Sequence, residues 1–194
     1  MKVLHIATEC YPAAKAGGMG DVLGALPQYL NRLNVHASVL LPKYRTPWLE
    51  QQRFEPVFSG ELQLGDRLLP FHIERVAGDP TGFPLFVADM PGLFDRPGIY
   101  AHPENGPYPD WVERNVGFQR AALEWLLHSD ERPDLLHCHD HHSGLIPFLV
   151  QEAGGYEALR GTPTVFTIHN GQYHGAFDWR HRRLLPSFDP ARGG

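Results

Sequence analysis

Two clusters of residues in this chain have the types and spacing to do chemistry. The first is Lys15-Ala16-Gly17-Gly18-Met19-Gly20-Asp21-Val22. Glycines let the backbone approach a ligand closely, a helix N-terminus offers unpaired N–H groups with a partial positive charge, and Lys15 adds a full one. That combination favours an anion. A plain tight turn is the alternative, since short glycine patterns are weak evidence, and the segment matches neither the G-x-G-x-x-G fingerprint nor the P-loop. Asp21, in the first helical turn, is awkward for a phosphate and reads as a helix cap or as a partner for a ligand hydroxyl. The second cluster is His137-Cys138-His139-Asp140-His141-His142, followed downstream by Phe166-Thr167-Ile168-His169-Asn170. Imidazole and carboxylate are common zinc ligands. In a strand, however, alternate residues face opposite ways, so His137 and His139 share a face that His141 need not reach, and the reading is no metal.

These clusters need elements to hold them. Val3 to Thr8 is a short apolar run, the pattern of a buried parallel strand, and it leads into the glycine loop. From about Gly20 to Leu33, Val22, Leu26, Leu30 and Leu33 recur at helical spacing, with Pro27 expected to kink the helix or cost it a hydrogen bond. His36 to Leu41 is the next strand, closing a right-handed crossover unit. Phe54 to Val76, with Gly65 as its turn, reads as an antiparallel hairpin added at the sheet edge. Pro84 to Asp89 is another buried strand, and the loop Met90 to Asp110 is long enough to be functional. Trp111 to His128 is helical, with Val112, Val116, Leu123 and Leu127 on one stripe. Asp134 to His139 is a strand, Ser143 to Ala153 a helix, and Thr164 to His169 the last strand. The expectation is an α/β Rossmann-like parallel sheet with flanking helices and an inserted antiparallel hairpin, one domain over residues 1–194.

Composition narrows the partners. The 194 residues are 42% apolar, 20% charged and 11% aromatic, a globular mixture with 12 His, 20 Gly and 18 Pro. A net charge of −5 and a pI near 6.2 leave no general basic surface for nucleic acid or anionic lipid. Cys10 and Cys138 have no disulfide or zinc-knuckle spacing and read as reduced. The first apolar run is too short for a signal peptide and no segment is long enough to span a bilayer, so the chain reads as cytoplasmic. From Asp178 the chain turns basic and loop-like, and it reaches Pro190-Ala191-Arg192-Gly193-Gly194 without a closing helix over the last strand. That ending looks like part of something larger.

The residues from Lys15 to Val22, followed by Gly24-Ala25-Leu26-Pro27, resemble the Lys-x-Gly-Gly-Leu-(Gly/Ala)-Asp-Val signature of bacterial glycogen synthases and plant starch synthases, with Met19 in place of Leu. His137-Cys138-His139-Asp140-His141-His142-Ser143-Gly144 is similar to the family's His-Ala-His-Asp-Trp-His-(Thr/Ala)-Gly. Phe166-Thr167-Ile168-His169-Asn170 with Tyr173-His174-Gly175 is similar to its Phe-Thr-(Ile/Val)-His-Asn...Tyr-Gln-Gly. Asp95-Arg96-Pro97-Gly98 also occurs in the family's central loop. The blocks lie in order and span nearly the whole chain.

The resemblance implies a GT-B glycosyltransferase, in which two Rossmann-like domains face each other across a cleft. The glucan acceptor lies mainly on the first, and the nucleotide lies mainly on the second, which would be a missing C-terminal domain or partner chain. It implies ADP-glucose or UDP-glucose as donor substrate, an α-1,4-glucan acceptor, and no cofactor or metal. Lys15 with the Gly17 and Gly18 backbone would face the donor, with Asp21 close by. His169 would lie beside the transferred glucose, Asp140 would line the acceptor and sugar pocket, Tyr100 would be a stacking surface for a glucose ring, and Asn170 and Tyr173 would also bind substrate. His141 stands where the family has Trp, and His174 where it has Gln. A non-catalytic glucan-binding or regulatory domain is the competing reading.

Overall fold

The structure, a computed structural model, describes residues 1–130, 132–189 and 191. The expectation about the chain end at 190–194 therefore falls, Ala191 apart, outside the described residues. Among the described residues seven strands form one sheet. They are β1 (Lys2–Ile6), β2 (His36–Pro42), β3 (Phe54–Leu64), β4 (Arg67–Val76), β5 (Leu85–Asp89), β8 (Leu135–His139) and β9 (Thr164–Thr167). Their spatial order is β3-β4-β5-β2-β1-β8-β9. The pairs β1 with β2, β2 with β5, β1 with β8 and β8 with β9 are parallel. β3 and β4 form the expected antiparallel hairpin, with β4 antiparallel to β5 at the edge. Two short strands, β6 (Ala101–His102) and β7 (Gly106–Pro107), pair inside the long loop. The helices are α1 (Gly18–Arg32), α2 (Pro47–Glu50), α3 (Trp111–His128) and α4 (Ile146–Glu152).

The parallel strands other than β9 are largely buried because helices cover them, and their sequences are correspondingly apolar. Ile6, Leu23, Leu40 and Leu85 are fully buried. Each such side chain contributes roughly 1.5–3 kcal/mol relative to exposure. Polar ties fix the hairpin to this core. Lys43, just after β2, donates to Glu74 of β4 and, at 3.0 Å, to Asp89 of β5. Arg120 on α3 donates to the Gln63 and Leu184 carbonyls at 2.7 and 2.8 Å.

Helix α1 corrects the sequence reading of its face. Met19, Gly20, Leu23 and Pro27 are the buried positions, whereas Val22 and Leu33 are exposed. The expected stripe of Val22, Leu26, Leu30 and Leu33 sits about a quarter-turn away, because the helix starts at Gly18 and turns small residues toward the sheet. Proline at 27 has no N–H for the Leu23 carbonyl four residues earlier. That carbonyl accepts instead from the Cys10 thiol, with Sγ at 3.4 Å, so α1 runs unbroken through Pro27. Further differences follow from short turns that carry no periodicity. The region expected to be helical from Ser143 starts only at Ile146, after a 3-10 turn at His141–Ser143. The basic stretch after Asp178 forms another 3-10 turn, Trp179–Leu184, whose last residue is buried under the hairpin side of the molecule.

The two sheet edges differ. β3 and β4 interleave exposed and buried side chains, while β9 leaves Val165 41% and Phe166 44% exposed, with Ile168 beyond it at 65%.

Candidate functional site

Chain order reverses at β1: β2 and β5 lie on one side of it, β8 and β9 on the other. In open α/β sheets the crevice outside the carboxyl ends of the strands at such a switch point is where ligands bind. A cavity of about 760 Å³ opens there, walled by the segments that follow β1, β8 and β9 and by the 94–100 loop with the start of α3. Gly17, Gly18, Tyr100, Asp140, His169, Asn170 and Tyr173 all line it. Three distant blocks of sequence thus converge on one space. A smaller cavity of about 500 Å³ adjoins it, sharing Trp111, Asp140, His141 and Tyr173.

Lys15 and Asp21 stand outside that lining. The Lys15 ammonium donates to both Asp21 carboxylate oxygens, at 2.6 and 2.7 Å, on the exposed rim. Asp21 is no helix cap, since Gly17 holds the N-cap position without a side-chain bond.

The glycine loop's amides are engaged by a residue the sequence reading passed over. Glu9, 4% exposed, accepts from the Ala16 and Gly17 N–H groups, each at 2.7 Å, through one carboxylate oxygen. Its other oxygen accepts from the Tyr100 hydroxyl at 2.7 Å. Since that proton goes to Glu9, the Thr8 hydroxyl donates to Tyr100 at 3.0 Å. Burial, with Tyr44 nearby, pushes the Tyr100 phenol well up, so it stays a donor. One face of the Tyr100 ring lies against His142, centroids 4.8 Å apart. The anion seat anticipated at the loop is thus filled, for these two amides, by a carboxylate of the chain itself. Its only trace in the sequence is a Glu three residues past β1, with nothing to say that it turns back on the glycine loop.

Asp140 follows β8 with φ 55° and ψ 178°, a backbone region essentially reserved for glycine. Its Oδ1 accepts from His169 N at 2.7 Å and Asn170 N at 3.3 Å. It therefore lines the cavity while fixing the peptide planes that carry His169. The turn beyond is held close: a Cβ on Gly175 would meet the His141 ring at 2.3 Å, and Gly175 has φ 62°.

Behind this wall lies a bank of imidazoles. His5 of β1 stands in register with His137 of β8, and the strand alternation puts His139 on the same face. The three offer nitrogens within 4.8 Å of one another, so the third imidazole beside His137 and His139 is His5, not His141. His137 Nε2 lies 2.8 Å from the Thr167 hydroxyl. Burial, reinforced by neighbouring imidazoles, lowers His5 to about 3 and His139 to about 2, and it also lowers His137. His142 falls to about 3, through burial and then His141 and Arg114. Arg114, buried on α3, lies over the Tyr108 and Phe94 rings at 4.3 and 4.9 Å and donates to the Ile99 carbonyl at 2.9 Å, pinning the long loop.

Fold and site together define an open α/β domain with a ligand cavity at the carboxyl edge of its parallel strands. The starch synthase catalytic domain model matches residues 2–191. The chain is 42% identical over 189 residues to a glycogen synthase of Flavobacterium johnsoniae, covering 97% of this chain and 39% of the relative. It is 40% identical over 179 residues to a glycogen synthase of Geobacillus stearothermophilus, covering 91% of this chain and 35% of the relative. Among solved structures it is similar to the catalytic domain of starch synthase IV from Arabidopsis thaliana bound to ADP and acarbose. That match has a TM-score of 0.84 at 28% identity and covers 98% of this chain and 38% of that one. The chain belongs to the starch synthase catalytic-domain family, and it spans well under half the length of these relatives. No described helix is long and apolar enough to cross a membrane.

Proposed function

We propose that this chain is the N-terminal, acceptor-side part of a glycogen or starch synthase. With a nucleotide-binding second domain facing it, it takes part in retaining transfer of glucose from ADP-glucose or UDP-glucose to the non-reducing end of an α-1,4-glucan. The observation that carries the reading is the convergence of the Gly17–Gly18 loop, Asp140 and His169 on one cavity at the switch point of the sheet. The ADP and acarbose held by the similar starch synthase support a nucleotide and a glucan-like oligosaccharide as the ligands.

In this reading the chain's residues position and polarise. Asp140 holds the amides of His169 and Asn170, which orients the peptide whose carbonyl faces positive charge developing at the anomeric carbon. Glu9 and Tyr100 keep the glycine loop and the long loop in fixed relation. Lys15, on the exposed rim, leaves Asp21 for the donor diphosphate as the second domain closes. In a protein that joins this chain to that domain, Lys15→Ala then lowers turnover on the order of 10²-fold, as for loss of one preorganised donor. Binding is testable on the chain itself by titrating a maltooligosaccharide into the isotopically labelled protein and following amide NMR shifts. Perturbation at Tyr100, Asp140 and His169 is expected. Perturbations that miss all three would sink the reading.

A further inference from the structure

Three imidazoles stand in line from the core to the cavity. His5 Nδ1 lies 3.1 Å from His139 Nε2, and His139 Nδ1 lies 2.9 Å from His169 Nε2. Neighbouring ring planes along the line are within 27° and 21° of parallel. His5 and His139 are fully buried and stay neutral. A neutral imidazole has one N–H and one acceptor nitrogen, and each link needs one of each. For a neutral His169 only two arrangements satisfy both links: all three rings protonated on Nδ1, or all three on Nε2.

The ends of the line choose between them. At the inner end His5 Nε2 is buried with no hydrogen-bond partner among the described residues. A proton there would be an orphaned buried donor, a rarer and costlier arrangement than an under-used acceptor. At the outer end His169 lines a cavity that also holds the Glu9 and Asp140 carboxylates, which favour an N–H dipole directed toward them. Both ends select protonation on Nδ1.

We propose that His139, backed by His5, is a positioning residue that fixes His169 in its Nδ1–H tautomer, so that His169 presents the cavity with a hydrogen-bond donor for an acceptor oxygen, such as a sugar hydroxyl. This rests on the reading that the cavity takes a sugar, but its test needs no ligand.

Long-range proton–nitrogen NMR of the ¹⁵N-histidine-labelled chain at neutral pH reports which ring nitrogen carries the proton. The expected pattern is Nδ1–H for His5, His139 and His169, the opposite of what a free imidazole favours. His139→Phe removes the donor to His169 and shifts it toward the Nε2–H form. His139→Asn keeps an amide donor near the Nδ1 position and restores Nδ1–H. An Nε2–H signature on His169 in the native chain overturns the proposal, and that result stands even if His139→Phe fails to fold. So does a His169 signature unchanged in a folded His139→Phe. Stoichiometric Zn²⁺ that shifts His5, His137 and His139 together would replace the ladder by coordination and overturn it as well. If the glucan titration fails while the tautomer pattern holds, the functional reading falls and the ladder does not.

Discussion

On one wall of the cavity Glu9 accepts from the Ala16 and Gly17 amides; on the other, Asp140 accepts from those of His169 and Asn170. Both walls use a carboxylate as a clasp for a loop. The Glu9 clasp sits in unstrained backbone and gains a third donor from Tyr100. The Asp140 clasp sits in a conformation costing of order 1–3 kcal/mol and leans on imidazoles that stay neutral. The first wall is therefore a self-satisfied scaffold, and the second is held in tension over imidazoles that burial keeps neutral.

Acid has the largest expected effect, and it acts through rings on both sides, since His142 lies against Tyr100. His5, His139 and His142 are lowered from 6.5 to about 3, about 2 and about 3 in the fold. In that window the unfolded chain binds the extra protons, so stability is full above 6.5 and is lost as pH falls below it. The slope reaches about 1.4 kcal/mol per pH unit for each imidazole. Urea denaturation from about pH 7 down to about pH 5 should show a steep loss, and a flat profile would mean these rings are accessible to protons in the native state. Next in size, Glu9→Ala leaves two amides and a phenol without their acceptor and should cost about 3 kcal/mol. Glu9→Gln keeps an acceptor and should cost about 1 kcal/mol. Denaturation midpoints of the two variants check this ranking.

On the strained wall, Asp140→Ala and Asp140→Gly lose the same acceptor, but glycine is spared the positive φ. Asp140→Gly should be the more stable by about 1–2 kcal/mol, and equal stabilities would remove the claim of strain. The smallest effect belongs to the rim. Lys15→Ala breaks an exposed ion pair and should change stability by less than about 0.5 kcal/mol, so that any large functional effect of Lys15 reports on ligand and not on folding. Thermal unfolding of Lys15→Ala beside the parent reads it directly.

Apolar runs, turn residues and helical spacing made the sheet legible, giving the crossover β1-α1-β2, the hairpin turning at Gly65 and the helix α3. The face of α1 was missed because the residues it buries, Gly20 and Pro27 among them, do not register as apolar. In the site, resemblance located the three blocks, and seven of the nine chosen residues reach the cavity. Glu9, Arg114 and His5 were not legible, since each acts through partners 7, 15 and 134 positions away that only folding brings near. The tight pairing of Lys15 with Asp21 was likewise invisible to a pattern that scored them separately.

The substitution of a thiol for the missing amide at Pro27 has a practical consequence. Cys10 donates to the Leu23 carbonyl in a fully buried setting, and burial pushes it, like Cys138, up to about 12. Neither thiol forms thiolate in the native state, so alkylating reagents reach them only when the chain opens. Cys10 sits under the first helix and Cys138 in β8, between β1 and the edge strand β9. Their separate labelling rates thus make two internal clocks, one timing the release of α1 and the other the dissolution of the sheet.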